Sequence, residues 1–134
     1  MNIPQFKLIV WLRISLGLIF FWFGALKIAG YNPVYDIVQA SFPFLAQGAG
    51  NIILGALEAM IGVGLIFNIL PVLVHSALAL HLPGTFSVFF LAPELMFQPY
   101  FPILTLQGEF VFKNVALVVA GFVVFISSRS NRTP

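Results

Sequence analysis

Apolar residues run almost unbroken through four stretches of the chain: about Leu8 to Ala29, Asn51 to Leu70, Val72 to Ala92 and Glu109 to Ser127. Each is close to the roughly 20 residues that an α-helix needs to cross the hydrocarbon core of a bilayer. Backbone breakers separate them. Gly30-Tyr31-Asn32-Pro33 follows the first stretch, Pro71 divides the second from the third, and Pro93 ends the third. The second and third are joined only by Asn68 to Pro71, which predicts an antiparallel hairpin. The other two connections carry Tyr31, Tyr35, Phe42 and Phe44, and Met96, Phe97, Tyr100 and Phe101. Aromatic rings with polar tips favour the headgroup level. Both connections are therefore expected along the membrane surface, with a short helix near Val34 to Ala40. The pattern predicts an all-α fold: one integral membrane four-helix bundle over residues 1–134.

Composition sharpens this reading. Hydrophobic residues make up 60% of the 134 and charged residues only 7%, against roughly 25% charged in soluble domains. So few charges cannot cover a water-exposed surface, and sixteen Phe exceed what a small soluble core could hide. Lipid must be the solvent for much of this surface. Lys7 and Arg13 ahead of an apolar run resemble a signal peptide, but the run continues too far and Lys27 with bulky neighbours stands where small residues would be cleaved. A retained anchor is expected. The chain has no cysteine, which removes thiol–disulfide chemistry and thiolate-held clusters or zinc. The net charge of +2 lies at the two ends and does not form the basic patch that nucleic acids require.

The positive charges set an orientation. Lys7 and Arg13 lie at one end and Arg129 and Arg132 at the other, while the two long connections hold only Asp36 and Glu94. The positive-inside rule then predicts both termini in the cytoplasm and both aromatic connections outside.

Charges within spans cost roughly 2.5–3.5 kcal/mol each on insertion scales, so their positions are informative. Steps of three and four keep helical residues on one face. The first span aligns Arg13, Gly17, Phe20, Gly24 and Lys27. The second aligns Asn51, Gly55, Glu58, Gly62 and Leu65, and the third Ala77, His81, Thr85, Val88 and Ala92. The fourth aligns Glu109, Lys113, Ala116, Ala120, Val123 and Ser127. Small residues on these stripes allow close helix approach in lipid. Glu58 falls roughly 10 Å below the start of its span at 1.5 Å per residue, and His81 near mid-span. Lys27, Glu58, His81, Thr85, Glu109 and Lys113 are thus expected to form a polar cluster in the outer half of the bundle.

Plainer readings stand beside this one. Lys27 could snorkel to the outer headgroups, and Arg13 to the inner ones. Glu109 and Lys113 could pair along their own helix, and His81 could be a simple interhelical hydrogen-bonding group. No short carboxylate snorkels from the depth of Glu58, so it must be paired or functional. His75 and His81 lie about 120° apart around one helix, and no other histidine exists. A bis-histidine haem within one chain is excluded, and no metal motif is present.

The segments "LRISLGLIFFWFGALKIAGYNP", Glu58 in a Gly-rich second span, "LHLPGTFSVFFLAPELMF" and "LTLQGEFVFKNVALVVAG" together resemble the DoxX-like family of small bacterial membrane proteins. The resemblance covers most of the chain. It implies a four-helix bundle in the bacterial cytoplasmic (inner) membrane. It also implies a link to quinone chemistry or oxidative stress, because the name-giving members are subunits of a thiosulfate:quinone oxidoreductase. The chain supplies no thiol and no redox cofactor motif, so catalysis would need a partner subunit. No cofactor is evident in the sequence; under a quinone-linked role the polar cluster would hold a quinone headgroup, with His81 and Glu58 as its hydrogen-bond partners. Two other functions remain open: a non-catalytic assembly or scaffold subunit, with a partner subunit or as a homo-oligomer, and a small-solute or proton pathway.

Overall fold

The computed structural model describes residues 4–130; Arg132, which enters the charge argument above, lies outside the described residues. Helix α1 spans Gln5–Ile28 and begins just after Pro4, where the missing N–H costs nothing. It ends where Gly30 adopts φ 95° and the Tyr31 N–H reaches the Leu26 carbonyl at 2.9 Å. This is the left-handed helix stop that glycine favours. Helix α2 (Tyr35–Ser41) and a 3₁₀ turn (Pro43–Leu45) fill the first long connection.

Helix α3 spans Gly48–Phe67, three residues earlier than the apolar run suggested. Gly48, Ala49 and Gly50 are too small to register as part of a hydrophobic run, yet they follow the extended Gln47 into the helix. Asn68 at φ 56° stops it, with the Ile69 N–H on the Gly64 carbonyl at 2.9 Å. Helix α4 (Pro71–Phe86) starts at once with Pro71 in its first turn and continues after Ser87 as α5 (Val88–Leu91). After α6 (Pro93–Met96), the chain turns back through a single antiparallel bridge between Phe97 and Leu104.

Helices α7 (Leu106–Phe112) and α8 (Asn114–Ser130) form the last apolar rod. The Thr105 hydroxyl caps it by accepting from the Gly108 N–H at 2.9 Å. At Lys113 the helix tightens, and the Ala116 N–H bonds three residues back to Lys113.

Four helical segments are thus long and apolar enough to cross a membrane: Gln5–Ile28, Gly48–Phe67, Pro71–Leu91 and Leu106–Ser130. Their surfaces agree with a lipid solvent, since Trp11, Trp22, Leu80, Phe90 and Phe122 are all exposed. Helix α1 lies along α3 as the most extensive helix pair, and α8 touches both α1 and α4. Small residues make the α1–α3 seam possible. A Cβ on Gly17 would stand 2.8 Å from the Gly62 carbonyl oxygen, and one on Gly55 2.8 Å from that of Gly24.

Two apolar clusters divide the interior. Leu16, Phe20, Ile61, Leu65, Val74, Leu78 and Leu82 fill the half near the α3–α4 turn. Ile37, Val88, Ala92, Met96 and Val111 knit the long connections onto the opposite half.

Candidate functional site

Lys27 occupies the last turn of α1 and is only 3% exposed. Glu58, in the middle of α3, is 6% exposed. The glycine seam brings these helices close enough for the Lys27 Nζ to donate to Glu58 Oε2 at 2.7 Å. The second carboxylate oxygen, Oε1, lies 3.4 Å from His81 Nε2 on α4. His81 sets its ring edge-on to Phe20, with centroids 5.4 Å apart. Three residues from three helices, distant in sequence, therefore meet around one carboxylate.

The other expected members fall differently. Thr85 is one turn from His81, where its hydroxyl donates to the Leu82 carbonyl at 2.7 Å and accepts from Asn114 Nδ2 at 3.4 Å. Glu109 and Lys113 are exposed and do not join the cluster. The buried face of the last rod is Gly108, Val111, Gly121 and Val124, not the stripe from Glu109 to Ser127. Thr105 fixes the phase of this helix, and Gly108 packs against the Met96 carbonyl. Charged residues near the end of a span can reach water, so they need not face inward. Asn114 of this rod, half-buried, reaches α4 through Thr85; its signal was an amide beside a more conspicuous lysine.

Arg13, half-buried, has partners at the end of a neighbouring helix. Its guanidinium donates to the Leu65 and Ile66 carbonyls, which lie in the last turn of α3 and lack intrahelical donors. A cation at the negative end of a helix is favourable there. His75 is buried, with its Nδ1 2.6 Å from the Pro71 carbonyl oxygen and its ring against Phe125. It stands apart from His81. Among the described residues no group of three or more His, Cys, Asp or Glu could hold a metal.

A second polar layer lies on the side of the long connections. Asn51 Nδ2 donates to the Lys27 carbonyl at 3.1 Å, and Asn32 Nδ2 donates to Asn51 Oδ1 at 3.0 Å. These amides tie the chain after Gly30 to the first turn of α3. Beside them is a cavity of about 490 Å³, lined by Lys27, Asn32, Tyr35, Gln47 and Asn51, among others.

The cluster holds one cation, one anion and an imidazole, all largely buried. The Lys27 and Glu58 charges offset each other, which is the condition for keeping either inside lipid. The imidazole can give or take a proton beside the carboxylate. Together the three groups can donate to, or accept from, a polar ligand head. Comparison with protein-family models, curated proteins and solved structures finds no match for this chain.

Proposed function

We propose that this chain is a DoxX-like component of a bacterial cytoplasmic membrane that binds a quinone and serves quinone-linked redox chemistry or defence against oxidative stress. The observation that carries the reading is Glu58, buried within a span, with one oxygen on Lys27 and the other facing His81. An intramembrane carboxylate is functional by default. Quinol oxidation releases two protons and two electrons. Glu58 and His81 are suited to take the protons, and a quinone carbonyl can accept from Lys27 or His81. The electrons would pass to a redox centre on a partner subunit. In this reading the four spans form one bundle with both termini in the cytoplasm and the long connections outside.

The test is the lipid extract of the purified protein in native-lipid discs. Near-stoichiometric quinone is expected, and Glu58→Gln and His81→Ala variants that still fold should lose it. Quinone at no more than bulk membrane abundance would overturn the proposal.

A second reading draws on the same ion pair. One carboxylate oxygen is bonded to Lys27 and the other faces His81 beside the glycine seam, which suits a device that fixes helix register in a scaffold subunit. In that case a folded Lys27→Met/Glu58→Met protein would keep its biological activity.

A further inference from the structure

We propose that the Lys27–Glu58–His81 cluster exchanges protons and water with one side of the membrane only, through the cavity beside Lys27. The inference rests on reading the cluster as a working centre, but not on quinone being its ligand.

Two features on opposite sides of the cluster carry it. Towards the long connections, the cavity of about 490 Å³ reaches Lys27 and Asn51, both nearly fully buried. Its rim is formed by Gly30, Tyr35, Gln47 and Gly48, which are exposed. A space this large, lined by amides, a phenol and an ammonium-bearing residue, can hold several waters with polar partners. Asn32 and Asn51 line that space, and their hydrogen-bonded series ends on the backbone carbonyl of Lys27, the residue whose ammonium holds Glu58.

Towards the α3–α4 turn the surroundings are the reverse. One and two turns beyond Glu58 lie Ile61 and Leu65, both no more than 2% exposed. Leu16 and Phe20 of α1 and Val74 and Leu78 of α4 close the same layer. The side chains of this layer offer water no hydrogen-bonding partners, and a space lined by such groups stays dry. Arg13, the next charge on that side, is engaged by the carbonyls at the end of α3. From the last rod, Glu109 and Lys113 are exposed, and the amide of Asn114 meets Thr85. Among the described residues, Lys27 and His81 are the charged or titratable groups in contact with the Glu58 carboxylate, while His75, on the same helix as His81, is buried beside Val74 with its Nδ1 2.6 Å from the Pro71 carbonyl oxygen. Lys27, which bonds Glu58, borders the cavity, so the cluster has its polar approach on one side and an apolar layer on the other. This arrangement describes a centre with sided access and not a continuous channel.

The chain has no cysteine, so single thiols report access cleanly. A charged, membrane-impermeant methanethiosulfonate is applied to right-side-out and inside-out vesicles carrying the full chain. Three variants are compared: Ala46→Cys in the cavity wall, Glu58→Cys with Lys27→Met, and Ile61→Cys in the apolar layer. Ala46→Cys and Glu58→Cys should react from the side of the long connections. From the other face their reaction should be slower by on the order of tenfold or more, because a thiol must ionise in water to react. Ile61→Cys should stay unreactive from both. Should the Glu58 variant fail to fold, His81→Cys takes its place with the same expectation. Reaction of either cluster thiol from both faces would establish a through path and overturn the inference. So would an unreactive Ala46→Cys, or cluster thiols unreactive from both faces. Quinone content of the unmodified protein is a separate measurement, so loss of the quinone reading leaves this one standing or falling on its own.

Discussion

Lys27 and Glu58 each depend on the other. A lone ammonium or carboxylate at 3% or 6% exposure would be left without its counter-ion. Removing one partner of a buried pair costs about 3–5 kcal/mol, whereas replacing both with apolar groups of similar volume is often neutral. Lys27→Met and Glu58→Met should each lower the thermal midpoint in detergent strongly, and the double variant should recover most of the loss. A thermodynamic cycle gives the coupling directly. Additive losses would mean that the two side chains do not interact in the folded protein. Arg13 shows the contrasting case of a charge within a span whose partners are backbone carbonyls at a helix end.

At the scale of elements, the α1–α3 pair is the scaffold of the cluster. Its close approach depends on Gly17, Gly24, Gly55 and Gly62, which present no side chain where the backbones meet. Gly62 faces the backbone of Phe21, and nothing in such a seam can yield to a leucine side chain. Gly62→Leu should separate the helices, pull Lys27 from Glu58 and sharply reduce the yield of folded protein. Phe67→Leu, at a residue 69% exposed, should stay within about 0.5 kcal/mol of the original. Size-exclusion profiles and melting curves of the two variants make the comparison. Equal behaviour would show that the seam is not packed as described.

For the whole molecule, the decisive quantity is the side of the membrane on which the long connections lie. They join α1 to α3 and α5 to α7, at the same end as Lys27 and the cavity. The charge distribution predicts that this end is outside. A cysteine at Gln98 should react with an impermeant reagent in intact cells, and one at Gln5 should react only after permeabilisation. Labelling at Gln5 in intact cells would reverse the orientation and with it the side to which the cluster opens.

The sequence by itself determined the four apolar helices, the tight turn at Asn68 to Pro71 and the short helix after Pro33. Run length, Gly, Asn and Pro act locally, and lipid allows few alternatives to a helix. It also marked Glu58 as a residue needing a partner, because a short carboxylate at that depth has no other recourse. The α3 stripe from Asn51 to Leu65 was legible for the same reason, since glycine and polar residues recur there at helical spacing. What only the tertiary structure decided was the choice among partners. Glu58 could have met Lys27 or Lys113, and periodicity alone does not rank them. The glycine seam brings α1 to α3, and so selects Lys27. The phase of the last rod is set at its capped end by Thr105 and Gly108, which turns Lys113 outward and Asn114 inward. The use of Arg13 as a helix cap likewise required knowing which carbonyls end beside it. Such choices depend on the relative rotation and depth of packed helices, and those are properties of contacts between segments that no single segment encodes.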